Sequence, residues 1–330
     1  MNATEAPAER VVQNLFPSVR CTVDELLGDY RDSYAELHAL IRAGVDEGRR
    51  ERNECSLPLL VHAAETGDPA PAVPIAAVHA LWWRAANALD DTADGDAVGT
   101  LYGAPTGAML LAALDCGYVL PLRLLTGLGV PQSMRSALLA DFMDGWTAAH
   151  NGQIRDLVHE AGTVDCDAVL ATYRDKSGSA YRMAAGMSAR LAGCDDDRIR
   201  SWRRFGTTLG LLAQIRNDAE DVADGPAEDL KNGTATYLLA RLLDSASEPH
   251  RQDLLAQLRR ARHDLAARQD LRRQLLDRRE LVHEHIEELR IEAHAILDDL
   301  DGDPLFVDAL RTRVDAAAHD PTAPLATTSS

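Results

Sequence analysis

Apolar side chains recur at helical spacing along most of the chain. Val169, Tyr173, Ser177 and Ala180, with Tyr181 and Ala184 alongside, keep a 3.6-residue period, and so do Leu209, Leu212, Ala213 and Arg216. The alternation of Val, Ile and Thr that marks strands is scarce, whereas Ala and Leu are abundant. Clusters of Gly, Pro and Asp interrupt the helical pattern near 67–74, 94–105, 127–133, 160–167, 193–197 and 224–229, leaving helix-length segments between them. An all-α bundle is predicted, with one domain over residues 21–319, because neither an internal repeat nor a linker divides the chain. The Arg/Glu/Leu-rich stretch over 247–300 reads as one or two solvated amphipathic helices. Residues 1–20 and 320–330 are small, polar and Pro-containing, and are expected to be flexible ends.

Composition narrows the partners. A formal charge of −18 would repel a phosphate backbone, so nucleic acid is not an expected partner. An anionic ligand would need local Lys/Arg or metal ions to overcome the same field. The five cysteines (Cys21, Cys55, Cys116, Cys166, Cys194) form no CxxC pair and read as reduced packing residues. With no basic start leading into an apolar run and no stretch of 18 apolar residues, the expectation is a cytoplasmic protein without stable membrane insertion.

Two carboxylate clusters stand out. Asp90, Asp91 and Asp94 end the apolar segment AAVHALWWRAANAL, with Asp90 and Asp94 on one helical face and Asp91 about 100° round. Anions at a helix C-terminus oppose the macrodipole, a penalty that bound Mg²⁺ would reverse. Gln214, Asn217, Asp218, Glu220 and Asp221 end a second apolar run, where Gln214, Asp218 and Asp221 share a face. The alternative is a helical scaffold whose acidic ends are merely solvated caps. Two such ends, each following a buried stretch, favour metal binding.

Five segments in order resemble the trans-isoprenyl diphosphate synthase (polyprenyl synthetase) family, between about residues 48 and 240. They are DDTAD at Asp90; GQIRDL with Gln153 and Asp156; KSG with Lys176 and Gly178; QIRNDAED with Asn217 in place of an acid; and DLKNGTATY. The resemblance implies an all-α isoprenoid synthase bundle around a deep central pocket, with the two aspartate motifs facing each other. It implies roughly three Mg²⁺ ions bridging to an allylic isoprenyl diphosphate. The implied metal ligands are Asp90, Asp91, Asp94, Asn217, Asp218 and Asp221, of which Asp90, Asp91, Asp94 and Asp218 would be catalytic. Lys176 would pair with the diphosphate, and Gln214 and Gln153 would join its shell. Trp83 and Asn87, a turn or two before Asp90, are candidates for the pocket floor. Family members are commonly dimers, so a homodimer is implied too.

Departures from the family pattern fall on the residues that hold a second diphosphate. GRRERN retains Arg49, Arg50 and Arg52 but has Asn53 for proline. Trp83 replaces a histidine, no RRG follows the first motif, and Thr234 and Leu238 stand where lysine and proline are expected, leaving Lys231 as a substitute. This pattern favours a class I terpene synthase that ionises one allylic substrate. The alternatives are chain elongation with isopentenyl diphosphate, prenyl transfer to another acceptor, and a non-catalytic helical partner subunit.

Overall fold

Every predicted break coincides with an end of a helix. The computed structural model describes residues 7–47, 56–93, 100–101, 103–223 and 227–319. The first half holds α1 (Pro7–Gln13), α2 (Phe16–Ser33), α3 (Ala35–Glu47), α4 (Ser56–Thr66), α5 (Val73–Ala93), α6 (Thr106–Leu114), α7 (Leu120–Gly127) and α8 (Gln132–Val158). Then come α9 (Cys166–Lys176), α10 (Gly178–Leu191), α11 (Asp196–Ala223), α12 (Glu228–Asn232), α13 (Tyr237–Ser245), α14 (Glu248–Ala261), α15 (Leu265–Asp277), α16 (His283–Leu300) and α17 (Pro304–Ala318). The strands among the described residues are two-residue pieces, β1 (Thr100–Leu101) and β2 (Ala104–Pro105), paired antiparallel. The fold is all-α.

Three expectations need correction. Residues 7–13 and 16–20, expected to be flexible, lie in α1 and α2, where Ala8 and Val12, and then Val19, Val23 and Leu27, are spaced to bury one helical face. The stretch over 247–300 forms three helices rather than one or two. Asp264 ends the turn after α14 by accepting from the Ala266 N–H, and a 3₁₀ turn over Arg279–Val282 precedes α16. Cys21 is exposed and hydrogen-bonds Glu25 instead of packing, whereas Cys116 is buried as expected.

Contacts gather the chain into two compact units. One takes in the described residues of Met1–Thr147 with Ser179–Gly206 and Ile296–Thr312; the other takes in Ala148–Gly178, Thr207–Ala295 and those of Arg313–Ser330. The boundaries fall inside α8, α10, α11, α16 and α17, so no linker separates them.

In the first unit α5 is the central helix, packed against α2, α3, α4, α6 and α7. It can be central because small residues line it: Ala76, Ala77, Ala85 and Ala88 are buried and admit close neighbours. Between α6 and α7 the helix widens through one π-type turn, Asp115–Val119. Gly117 lies there so close to α5 and α8 that a Cβ would fall 2.3 Å from Ala85 Cβ and 2.7 Å from the Trp146 ring. Asp115 accepts from the Tyr30 hydroxyl at 3.2 Å, fixing the turn to α2. The run Thr106–Gly127 is long and apolar enough to cross a bilayer by length and composition, a property shared by core helices, and 44% of its most apolar window is buried here.

A buried acid ties further helices of this unit. Glu65 on α4 accepts from Arg198 Nε at 2.6 Å and from the Trp202 indole N–H, while Arg198 also donates to the Leu300 carbonyl. Trp202 is fully buried, so its N–H has no access to water as a substitute partner. Glu65→Gln, whose amide turns a donor toward one of these donors, is expected to lower unfolding stability by about 1–3 kcal/mol, read from urea denaturation.

A buried aspartate centre in the second unit

The second unit concentrates the residues of three sequence motifs on α8, α9 and α11. Along α8 the inward stripe passes through Ala149 and Gly152 to Asp156, at helical intervals of three and four residues. Gly152 abuts the end of α9 so closely that a Cβ would sit 2.1 Å from the Lys176 backbone nitrogen. That approach lets Lys176 Nζ reach Asp156 Oδ2 at 2.6 Å. The Lys and Asp of the two motifs are therefore paired with each other.

The periodic run from Val169 to Ala184 is broken after Lys176, and Gly178 begins α10. Gly210 on α11 lies against this junction, where its Cβ would meet Gly178 Cα at 2.7 Å. One turn beyond Gly210, Gln214 accepts from the Ser177 hydroxyl through Oε1 and donates through Nε2 to Asp218 Oδ1 at 2.8 Å. The other oxygen of Asp218 accepts from the Tyr173 hydroxyl, and that hydroxyl accepts in turn from the Tyr237 backbone N–H at 2.9 Å.

Asp218 occupies a core position on α11, between Ile215 and Val222, and is only 6% exposed. Burial pushes its carboxyl above the ordinary range, opposed by the donors Tyr173 and Gln214. Asp229 on α12 is raised as well, by burial first and then by the charges of Asp218, Asp221 and Asp156, with Lys176 opposing. Asp221 accepts from the backbone N–H groups of Glu228 and Asp229 at 3.3 and 3.4 Å, so it caps α12. Four carboxylates thus share one neighbourhood with one lysine. Their oxygens, together with the Gln214 carboxamide, are hard donors, and a dication would offset the burial penalty and the added mutual repulsion that lift Asp218 and Asp229. The set fits a hard divalent cation. Among the described residues, no three His, Cys, Asp or Glu side chains are already gathered closely enough to enclose one.

Other sequence candidates fare differently. Asn217 is exposed, about 100° round α11 from Asp218, and Lys231 is exposed at the end of α12. Gln153 is half-buried. In the first unit Trp83, Asn87 and Asp90 are half-buried in one row along α5, with Asp91 beside them. Trp83 packs its ring against His79, Trp82 and Tyr181 at centroid distances of 6.1, 5.9 and 5.9 Å. Asp94, Arg49, Arg50, Arg52, Cys55 and the tail over 320–330 lie outside the described residues. The sequence assigns no role to Ser177 or Asp229, and it marks Tyr173 as an aromatic for core packing or for a cation–π face rather than as a partner of Asp218.

A family model described as polyprenyl synthetase matches residues 109–275, half of the chain. The chain belongs to the polyprenyl synthetase family. It is an enzyme with the all-α fold of that family. A comparison with the curated proteins gives no match. Among solved structures, the decaprenyl diphosphate synthase of Rhodobacter capsulatus is 17% identical with a TM-score of 0.79, over 94% of this chain and 98% of that one. A geranylgeranyl pyrophosphate synthase of Corynebacterium glutamicum, solved with isoprenyl diphosphate and magnesium, is 18% identical with a TM-score of 0.78, over 94% and 99%. The geranylgeranyl pyrophosphate synthetase of Pyrococcus horikoshii is 18% identical with a TM-score of 0.75, over 94% and 98%.

The raised acids give this polyprenyl synthetase a pH signature. A carboxyl whose folded-state pKa exceeds its unfolded value holds its proton longer when folded, so it costs stability as pH rises through that interval. For Asp229, lifted from 3.8 to about 8, that interval runs from about pH 4 to pH 8. Asp229→Asn removes the cost. It is expected to stabilise the metal-free protein at pH 8 by about 0.5–2 kcal/mol, with the gain vanishing near pH 4, read from urea midpoints at both values.

Proposed function

We propose that this enzyme is a Mg²⁺-dependent prenyltransferase that ionises an allylic isoprenyl diphosphate and joins the allyl group to isopentenyl diphosphate. The observation that carries this reading is Asp218, a carboxylate held in a core position by donors on both oxygens, with Lys176 in the same neighbourhood. Structurally similar proteins whose names state decaprenyl and geranylgeranyl diphosphate synthesis support elongation over the single-substrate terpene synthase that the sequence departures favour.

Bound Mg²⁺ would supply the positive charge that stabilises diphosphate as it leaves the allylic carbon. On α11 the candidate holders are Asp218 and Gln214, with Asp221 turned toward α12 and Asn217 on the exposed flank. On α5 they are Asp90 and Asp91, with Asp94 the third member of the motif. Lys176 adds a cation that Asp156 holds in place, so the ammonium would contact diphosphate while still oriented by its partner. Trp83 and Asn87, in the row below Asp90, would border the isoprenyl tail and exclude water from the developing cation. Arg49, Arg50, Arg52 and Lys231 are the candidates for the second diphosphate, and Gln153 for the shell of the first.

A second reading keeps its support from the sequence. Trp83 and Thr234 replace the histidine and lysine expected around a second diphosphate, which suits an enzyme that cyclises, deprotonates or hydrates a single ionised substrate.

Purified protein with Mg²⁺ and geranyl, farnesyl or geranylgeranyl diphosphate, each with and without isopentenyl diphosphate, is expected to yield a longer diphosphate only when both are present, identified by mass spectrometry. A hydrocarbon or alcohol formed without isopentenyl diphosphate would replace the first reading with the second. Asp218→Asn is expected to lower kcat at least about a hundredfold in either case.

A further inference from the structure

Tyr173 sits where no sequence motif assigns a role, yet it is the residue through which α9, α11 and the start of α13 meet. It is 3% exposed, so its hydroxyl has no solvent to turn toward. A phenolic hydroxyl has one proton to give. The Tyr237 backbone N–H donates to Tyr173 Oη at 2.9 Å, and the hydroxyl proton goes to Asp218 Oδ2. A matching relay reaches the other oxygen: the Ser177 hydroxyl donates to Gln214 Oε1, which sets the amide so that Nε2 donates to Asp218 Oδ1 at 2.8 Å. One relay begins at a backbone N–H, which can only donate, the other at the Ser177 hydroxyl, whose proton faces Gln214 Oε1, and both end on the same carboxylate. Two fixed donors in different directions leave the carboxylate plane little freedom to rotate.

We infer that Tyr173 is a positioning residue that holds Asp218 in the orientation used to bind the metal and diphosphate, and couples it to the Gly233–Thr236 turn before α13. The turn enters because Thr236 caps α13 and Tyr237 is its first residue, so the N–H that orients Tyr173 moves with that segment. This inference rests on the reading of Asp218 as a metal-holding acid. It adds that the acid is aimed by a residue that touches neither substrate nor metal.

The test uses the full chain with Mg²⁺ and inorganic diphosphate, and follows the thermal shift as Mg²⁺ is titrated. Tyr173→Phe removes only the hydroxyl oxygen. The expected result is a metal-free melting temperature a few degrees below that of the parent, because the Tyr237 N–H and one Asp218 oxygen lose their partner, together with an Mg²⁺ half-saturation raised about tenfold, as expected for loss of one hydrogen bond to a charged group, and a kcat lowered with little change in KM for the allylic substrate. An unchanged Mg²⁺ half-saturation overturns the inference, and so does a variant whose sole defect is a lower metal-free melting temperature. Should Tyr173→Phe fail to fold, site-specific 3-fluorotyrosine at 173 keeps the shape with a more acidic hydroxyl. A shift of at least about twofold in Mg²⁺ half-saturation then supports the inference, and no shift overturns it. A parent protein that shows no Mg²⁺ and diphosphate response rejects the metal-holding reading itself and the inference with it, whereas a responsive parent with an indifferent variant rejects the inference alone.

Discussion

A carboxylate in a core position is the constraint around which the second unit is arranged. Asp218 follows Ile215 and precedes Val222 on the buried face of α11, where an apolar side chain would be the default occupant. Placing an acid there is costly unless each oxygen meets a donor. Tyr173 and Gln214 provide those donors, and Ser177 and the Tyr237 N–H orient them. Such contacts require the α9–α10 junction to lie nearly against α11, and the missing side chain of Gly210 allows it. Gly152 does the same for α8, which brings Asp156 onto Lys176. Gly152 of GQIRDL and Gly210, just before QIRNDAED, thus set how closely α8 and α11 approach the end of α9.

Much of this architecture was legible in the sequence. Gly, Pro and Asp punctuation located the helix ends, because those residues act through local backbone preferences that need no knowledge of neighbours. The order of the motifs identified the fold, since Gln153, Asp156, Lys176, Gly178, Gln214 and Asp218 together are far more specific than any one of them. What escaped was whatever depends on which helices touch. Ala8 and Val12 make only a two-residue stripe, too short to distinguish a docked N-terminal helix from a polar end. Tyr173 sits at a buried position that any large apolar residue could fill, and nothing in its local sequence reports the carboxylate 45 positions away. Asp229 looks like an ordinary first-turn acid of α12 until Asp218 and Asp221 are placed beside it. Asn217 shows the converse: its motif position suggested a ligand, yet its side chain leaves α11 on the exposed flank.

The first unit solves a different problem with the same kind of residue. Its central helix, α5, is narrow on the sides that face other helices and broad along the row of Trp83, Asn87 and Asp90. Alanines give the narrow sides, so packing is set by backbone approach. The aromatic groups His79, Trp82, Trp83, Trp146 and Tyr181 then form a continuous cluster at one level of the helix, each ring edge-on or tilted to its neighbour. Substitutions in that cluster would alter shape below Asp90 without touching the alanine contacts that hold the helix in place.

The π-type turn over Asp115–Val119 carries a consequence for the register of everything that follows it. Such a turn holds one residue more than an α-helical turn, and each residue advances a helix by about 100°. Sequence periodicity read from α6 is therefore out of phase with that of α7, although the two are collinear. Losing one residue there would restore a regular helix and swing Leu120 and Leu125 away from the core they now fill. A length change of one in this segment would behave as a rotation, whereas the same change in an exposed connection such as Gly127–Gln132 would be absorbed as slack.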